Sequence, residues 1–227
     1  MMIMPANASN ALVHFLAGLK PGSIGWLVGP SARTKTKLRD WIPYALDNDA
    51  FTSFSKNREW SEFEWVELLK WARQSGLCPR WAIVPDVVGD KDSTLEKWSR
   101  YASVVDVFGF KKAFAVQDGM TPEDVPNEAE VVFVGGTTEW KWRSLPMWCE
   151  NFDRVHVGRV NEIRRLATCS ALGVESVDGA GWFRATDSGR QALALRTWIE
   201  GGFVSEPELF PETSSCTFHF QNQESGR

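Results

Sequence analysis

Closely spaced cysteines, long apolar runs and an excess of positive charge are all missing from this chain of 227 residues. Its four cysteines, Cys78, Cys149, Cys169 and Cys216, form no CxxC or CxC pair, and only Cys216 and His219 lie close together. A structural zinc site draws on clustered ligands. No metal is therefore expected, and the cysteines read as reduced thiols, with Cys78 and Cys169 buried. No apolar run approaches the roughly 18 residues of a membrane span. The opening MMIMPANASN has neither the charged nor the apolar region of a signal peptide. These absences predict a cytoplasmic protein with no membrane partner. The formal net charge of -4 and the pI near 5.5 exclude a globally basic surface, leaving only a local basic rim for nucleic acid. No GxGxxG or GxxxxGKS/T follows an apolar run, so the nucleotide-fold fingerprints are missing too. There is no internal repeat.

What is present is ordinary globular material, 43% hydrophobic and 24% charged, with twelve tryptophans that belong mostly in a core. Short apolar runs recur along it: 23–28 (SIGWLV), 44–46 (YAL), 81–84 (WAIV), 113–116 (AFAV), 131–134 (VVFV), 154–157 (RVHV) and 174–177 (VESV). Runs this short and this apolar predict strands buried on both faces of a parallel sheet. Helical patterns separate them. Ser61 and Glu64 make a capping box ahead of Trp65, Leu68, Leu69 and Ala72, with Gly76 as the stop. Ser93 and Glu96 make a second box, Pro122 opens a short helix, Asn161 is placed to cap a helix through Leu166, and 188–200 reads as the last long helix. Alternating strands and helices predict a compact (β/α) TIM-like barrel, complete or trimmed by one element, over 1–204, with a polar tail at 205–227. The eighth barrel element is expected from 12–16 or from the C-terminal part. An open doubly wound sheet is the alternative.

Six consecutive runs finish in a polar or glycine cluster: Asp47-Asn48-Asp49-Ala50-Phe51, then Asp86, Gln117-Asp118-Gly119, Gly135-Gly136-Thr137, Gly158-Arg159 and Asp178-Gly179. Singly, Asp and Gly at such turns cap helices or supply positive φ, and Asp90 and Asp118 are expected to be plain caps. Together, in a barrel, they open on one face, the face that carries active sites. Paired carboxylates suit chemistry at a sugar carbon, one attacking or stabilising C1′ and the other handling the leaving group's proton. Glycines admit a flat ligand to backbone N–H groups, Phe51 can stack on it, and a Gln offers both a donor and an acceptor. Arg159, Arg164, Arg165 and Arg184 are candidates for phosphate, with Arg190 nearby.

In this order the clusters resemble the tRNA-guanine transglycosylase superfamily, and most of all its short DNA-modifying relatives, the DpdA-like proteins of phages and bacterial islands. The family's DSGGF-type segment is matched by Asp47-Asn48-Asp49-Ala50-Phe51, its next strand-end Asp by Asp86, and its VQGG by Val116-Gln117-Asp118-Gly119. Its GG pair is matched by Gly135-Gly136, its hydrophobic-Gly pair by Val157-Gly158, and its nucleophilic Asp by Asp178 in SVDGAG. The sequence departs in having Asp49-Ala50 and Asp118 where the family has glycines, and in lacking the cysteine-rich zinc subdomain. The resemblance implies exchange of guanine in nucleic acid for a 7-deazaguanine. Asp178 would be the nucleophile at C1′ and Asp47 the general acid/base, with Asp49 as the other candidate for that role. Phe51 would stack on the base, Asp86 and Gln117 would read its amino and imino edge, and the backbone near Gly136 its carbonyl. No cofactor is implied. Loss of the zinc subdomain points to DNA rather than tRNA as the polymer. Two other readings of the same residues are a nucleoside or glycoside hydrolase and a non-catalytic purine- or nucleic-acid-binding barrel. Homodimer formation is left open.

Overall fold

The computed structural model describes residues 1–7, 11–184 and 188–201. The expected tail at 205–227, Cys216 and His219 lie outside the described residues, as do the side chains of Arg184 and Arg190. In chain order the elements are β1 (Met2–Met4), α1 (Ala11–Leu19), β2 (Trp26–Val28), β3 (Tyr44–Leu46), α2 (Ala50–Ser55), α3 (Glu62–Gln74), β4 (Ala82–Ile83) and α4 (Lys91–Val107). There follow β5 (Lys112–Val116), β6 (Val131–Val134), α5 (Thr138–Asn151), β7 (Val155–Val157), α6 (Ile163–Ala171), β8 (Ser176–Asp178), α7 (Gly181–Arg184) and α8 (Ser188–Ile199). The eight strands are all parallel in the order β1-β8-β7-β6-β5-β4-β3-β2. Bridges Ile3–Ile24 and Ala6–Leu27 join the two ends of that order and close the barrel.

The eighth strand is therefore Met2–Met4, and comes neither from 12–16, which lies in α1, nor from the C-terminal part. Three apolar residues carry no readable period. They become a strand because β8 and β2 offer backbone partners on both sides: Met2 N donates to the Glu175 carbonyl and Gly25 N to the Ile3 carbonyl.

Strand alternation sorts side chains into two cores. Met2, Met4, Leu27, Ala45, Trp81, Ile83, Ala113, Ala115 and Val131 fill the barrel, with Phe133 against them. Val28, Leu46, Val116, Val134, Val157 and Val177 face outward into the helical shell, where Trp65, Leu68, Trp98 and Trp148 are buried. Helix starts follow local chemistry. Ser61 caps α3, its hydroxyl accepting from Glu64 N. For α4 the cap is Asp90, which accepts from Ser93 N at 3.0 Å, so the Ser93–Glu96 box lies inside the helix. Asp118 also serves as a cap, though for a later helix: it accepts from Thr137 N and Oγ1 at the start of α5. Asn161 does not cap α6, whose N-cap is Glu162; its Oδ1 accepts instead from Gly181 N. Cys169 is buried as expected, whereas Cys78 is exposed in the loop before β4. Among the described residues no helix is long and apolar enough to cross a membrane.

Candidate active site

Because the strands are parallel, their C-terminal ends share one mouth. A cavity of about 760 Å³ opens there, and its wall includes Asp47, Phe51, Asp86, Gln117, Gly135, Gly136, Gly158, Arg159 and Asp178. Val157, Arg164 and Arg165 are not in that wall. Val157 alternates outward and is fully buried in the helical shell, so only its glycine neighbour reaches the cavity. Arg164 is exposed and Arg165 half-buried on α6.

Asp178 ends β8 with its carboxylate turned into the barrel. Oδ1 accepts from Arg159 N at 3.1 Å, and Oδ2 lies 3.1 Å from His156 Nε2. The other ring nitrogen of His156 is 2.8 Å from Ser176 Oγ. With the serine hydroxyl donating to Nδ1, Nε2–H donates to Asp178. His156 is wholly buried, stacked on Phe133 at 4.6 Å and edge-on to Trp81 at 4.9 Å. It is a site residue absent from the sequence reading. The alternation in VHV, a histidine between two outward valines, is the signal that places it inside the barrel.

Asp47 has the opposite environment. The hydrogen bond its carboxylate accepts comes from the adjacent Asn48 N–H, at 2.9 Å. Burial, reinforced by the charges of Asp49, Asp178 and Asp86, pushes its carboxyl well above the usual carboxylate range. Asp49 is otherwise engaged. At φ +57 it accepts from Asn7 Nδ2 at 3.1 Å and from Ser31 N at 2.8 Å, tying the β2 and β3 loops together. Of the two candidates for acid/base, only Asp47 faces the cavity.

Asp86 accepts from Asn48 Nδ2 at 2.7 Å and from Gln117 Nε2 at 2.8 Å. Burial raises its carboxyl, while Asn48 and the nearby Lys97 charge hold it down. Gln117 Oε1 accepts from Gly89 N at 2.9 Å and from Gly136 N at 3.1 Å. Its amide thus locks three loops together, leaving one Nε2 hydrogen for a ligand. The glycine backbone is equally committed: Gly135 N donates to the Val116 carbonyl, Gly158 N to the Val134 carbonyl, and the Gly136 carbonyl accepts from Arg159 Nη2. The expected backbone contacts to a ligand at these glycines are therefore already spent within the fold. The glycines supply room instead; a Cβ on Gly158 would lie 2.9 Å from the Phe133 ring and 3.3 Å from Asp178 Oδ2. Phe51 is 43% exposed, with the Arg159 guanidinium 4.3 Å over its ring, so a stacking ligand meets the phenyl–guanidinium pair.

Lys141, on the first turn of α5, was also not predicted. It is buried and donates its ammonium to the Gly158 carbonyl. Burial, with the Arg159 charge beside it, lowers its pKa to about 8. Among the described residues no group of His, Cys, Asp and Glu could hold a metal ion.

No protein-family model matches the chain, and no curated protein is similar to it in sequence. Among solved structures it is similar to 3-hexulose-6-phosphate synthase from Salmonella typhimurium, with 11% sequence identity, 89% of this chain and 100% of that chain covered, and a TM-score of 0.54. At that identity the likeness is one of fold, and the fold is the (β/α) barrel.

Proposed function

We propose that this barrel is a base-exchange glycosyltransferase that removes guanine from a nucleotide in nucleic acid and installs a 7-deazaguanine, with DNA as the polymer. The observation that carries the reading is the division of labour between two carboxylates on one cavity. Asp178 is held by two donors, His156 and Arg159 N–H, which fix the orientation of its carboxylate. Asp47 lacks such partners and holds its proton to higher pH. An oriented carboxylate and a proton-holding one on the same cavity can divide into nucleophile and acid. The Asp178 oxygen forms a bond to C1′ as the C1′–N9 bond breaks, and Asp47 gives its proton to the departing purine. The incoming base gives that proton back to Asp47 while its own nitrogen displaces Asp178 from C1′, so the bond made equals the bond broken. Asp86 and the remaining Gln117 hydrogen suit the base edge. The identity of the incoming base and of the polymer rests on the motif resemblance.

The test is incubation of purified protein with guanine-containing DNA or tRNA and labelled 7-deazaguanine bases, read by nucleoside mass spectrometry. Label should enter DNA, and Asp178→Asn should lower exchange by at least about a thousandfold while leaving the fold intact. Release of guanine without uptake of label would make the protein a hydrolase. Label in tRNA alone would move it to the tRNA branch. Near-normal exchange by Asp178→Asn would remove the nucleophile assignment.

A further inference from the structure

Beside the main cavity lies a second, of about 300 Å³, whose wall includes Thr138, Lys141, Trp142, Arg159, Glu162 and Arg165. Arg159 and Asn161 belong to both walls, so the two spaces adjoin. The second is strongly cationic. The Arg165 guanidinium lies 4.4 Å over the Trp142 ring, with Lys141 Nζ 5.4 Å from the same ring. Elsewhere most buried and half-buried cations of the barrel are ion-paired: Arg80 and Arg154 meet Glu175, Lys91 meets Asp124, and Lys112 meets Asp106, while Lys97 lies over the Trp60 ring and donates to the Asp86 carbonyl. Among the described residues no carboxylate forms an ion pair with Lys141, Arg159 or Arg165. A buried ammonium with no carboxylate in contact is costly; the Gly158 carbonyl and the more distant charge of Asp178 offset only part of that cost. Glu162, exposed on the rim as the N-cap of α6, leaves the wall with an excess of positive charge. A tetrahedral dianion would supply the missing charge and accept from the Lys141 ammonium, the two guanidinium groups and the Thr138 hydroxyl.

We propose that the second cavity is a phosphate site, and that it takes the phosphate beside the nucleotide whose base enters the main cavity. The first half stands on the cation cluster alone; the second rests on the base-exchange reading. A ligand spanning both spaces would pass Arg159, whose backbone already holds Asp178 and whose guanidinium covers Phe51. Phosphate binding would therefore order the loop that orients the nucleophile, and a phosphorylated nucleoside would bind better than a free one.

The experiment is calorimetric titration of the full chain with inorganic phosphate, deoxyguanosine, deoxyguanosine 5′-monophosphate and a short single-stranded oligonucleotide bearing one guanine. Lys141→Met and Arg165→Gln are the variants. The first conserves volume and removes an unpaired buried charge; the second lies on a half-buried position and spares the core. Inorganic phosphate is expected to bind and to compete with the monophosphate. Each variant should weaken phosphate at least about tenfold and lower the monophosphate-to-deoxyguanosine affinity ratio by a similar factor. Phosphate that fails to bind, or that binds both variants as it binds the wild type, overturns the site. If phosphate depends on Lys141 while neither deoxyguanosine nor the oligonucleotide binds, the site stands and the base-exchange reading falls. If the variants weaken the monophosphate but leave the oligonucleotide unaffected, the ligand is a free phosphate ester, and the assignment to a nucleic-acid phosphate is overturned.

Discussion

Asp47 acts through the proton it holds, His156 through the carboxylate it positions. The folded protein holds the Asp47 proton more tightly than the unfolded chain does. This carboxyl therefore favours the folded state at acid pH, and its contribution disappears as pH rises through the raised value. Above that value an ionised Asp47, facing Asp49, Asp86 and Asp178, works against folding. Asp47→Asn should raise the Tm at neutral pH, by about 2–4 °C per kcal/mol of repulsion relieved, and have little effect in acid. Thermal unfolding at both pH values checks this. Exchange activity should fall in the same variant, because an amide cannot deliver the proton. His156 acts through Asp178 and is a positioning residue. His156→Phe keeps a ring between Trp81 and Phe133 but removes the nitrogen that faces the carboxylate. We expect kcat to fall by about ten- to a hundredfold with KM little changed, and His156→Gln to recover part of the loss. A matching fall in Tm with kcat unaltered would show His156 to be packing alone.

The elements are tied at both ends of the barrel, by different chemistry. At the C-terminal mouth, the uncharged Gln117 amide joins the loops after β4, β5 and β6 through hydrogen bonds to Gly89 N, the Asp86 carboxyl and Gly136 N, which keeps the cavity floor fixed. At the N-terminal end, Glu175 receives Arg80 and Arg154, the residues that lead into β4 and β7, in bonds of 2.5 to 2.9 Å. Burial alone would raise this carboxyl, but hydrogen bonds from Arg154 and Arg80 and their charges bring it from 4.5 to about 2. A carboxylate lowered in this way stabilises the fold at neutral pH and loses that contribution as pH falls from about 4.5 towards about 2. Glu175→Gln should cost about 1–3 kcal/mol at neutral pH, because it leaves two guanidinium groups with a neutral partner. Denaturant unfolding should show that deficit shrink as pH falls through this window. A constant deficit would mean that the side chain acts by packing and not by charge.

Closure of the whole barrel depends on its shortest evidence in sequence. β1 pairs with β8 and bridges to β2, and Met2 and Met4 plug the interior. A chain starting at residue 7 would leave β2 and β8 as unpaired parallel edges and remove Met2 and Met4 from the interior, exposing apolar surface and backbone that associate readily. We expect it to lose cooperative unfolding and to aggregate, as seen by circular dichroism and size-exclusion chromatography. A monomeric, cooperatively folding truncation would show that closure is dispensable.

Fully buried parallel strands advertise themselves locally, since every residue in VVFV or AFAV must be apolar whichever face it takes. The run of strands, the alternating helices, the Ser61 cap and the strand-end carboxylates could therefore be read from the chain, and with them the barrel and the carboxylates, glutamine and glycines of its mouth, though Val157 turns outward and Arg164 and Arg165 lie off the main cavity's wall. Roles set by partners distant in sequence could not. Met2–Met4 needs two neighbouring strands to be one, and Asp49 differs from Asp47 only because Asn7 and Ser31 reach it across the β2 loop. Gln117 has the composition of a reader of bases, yet both ends of its amide are bonded to loops on either side. His156 and Lys141 matter through what surrounds them, an aspartate on the next strand for one and an absent counter-ion for the other. Short-range pattern sets which face a residue takes; hydrogen-bond partners and charge balance across the barrel arise only when eight strand ends converge.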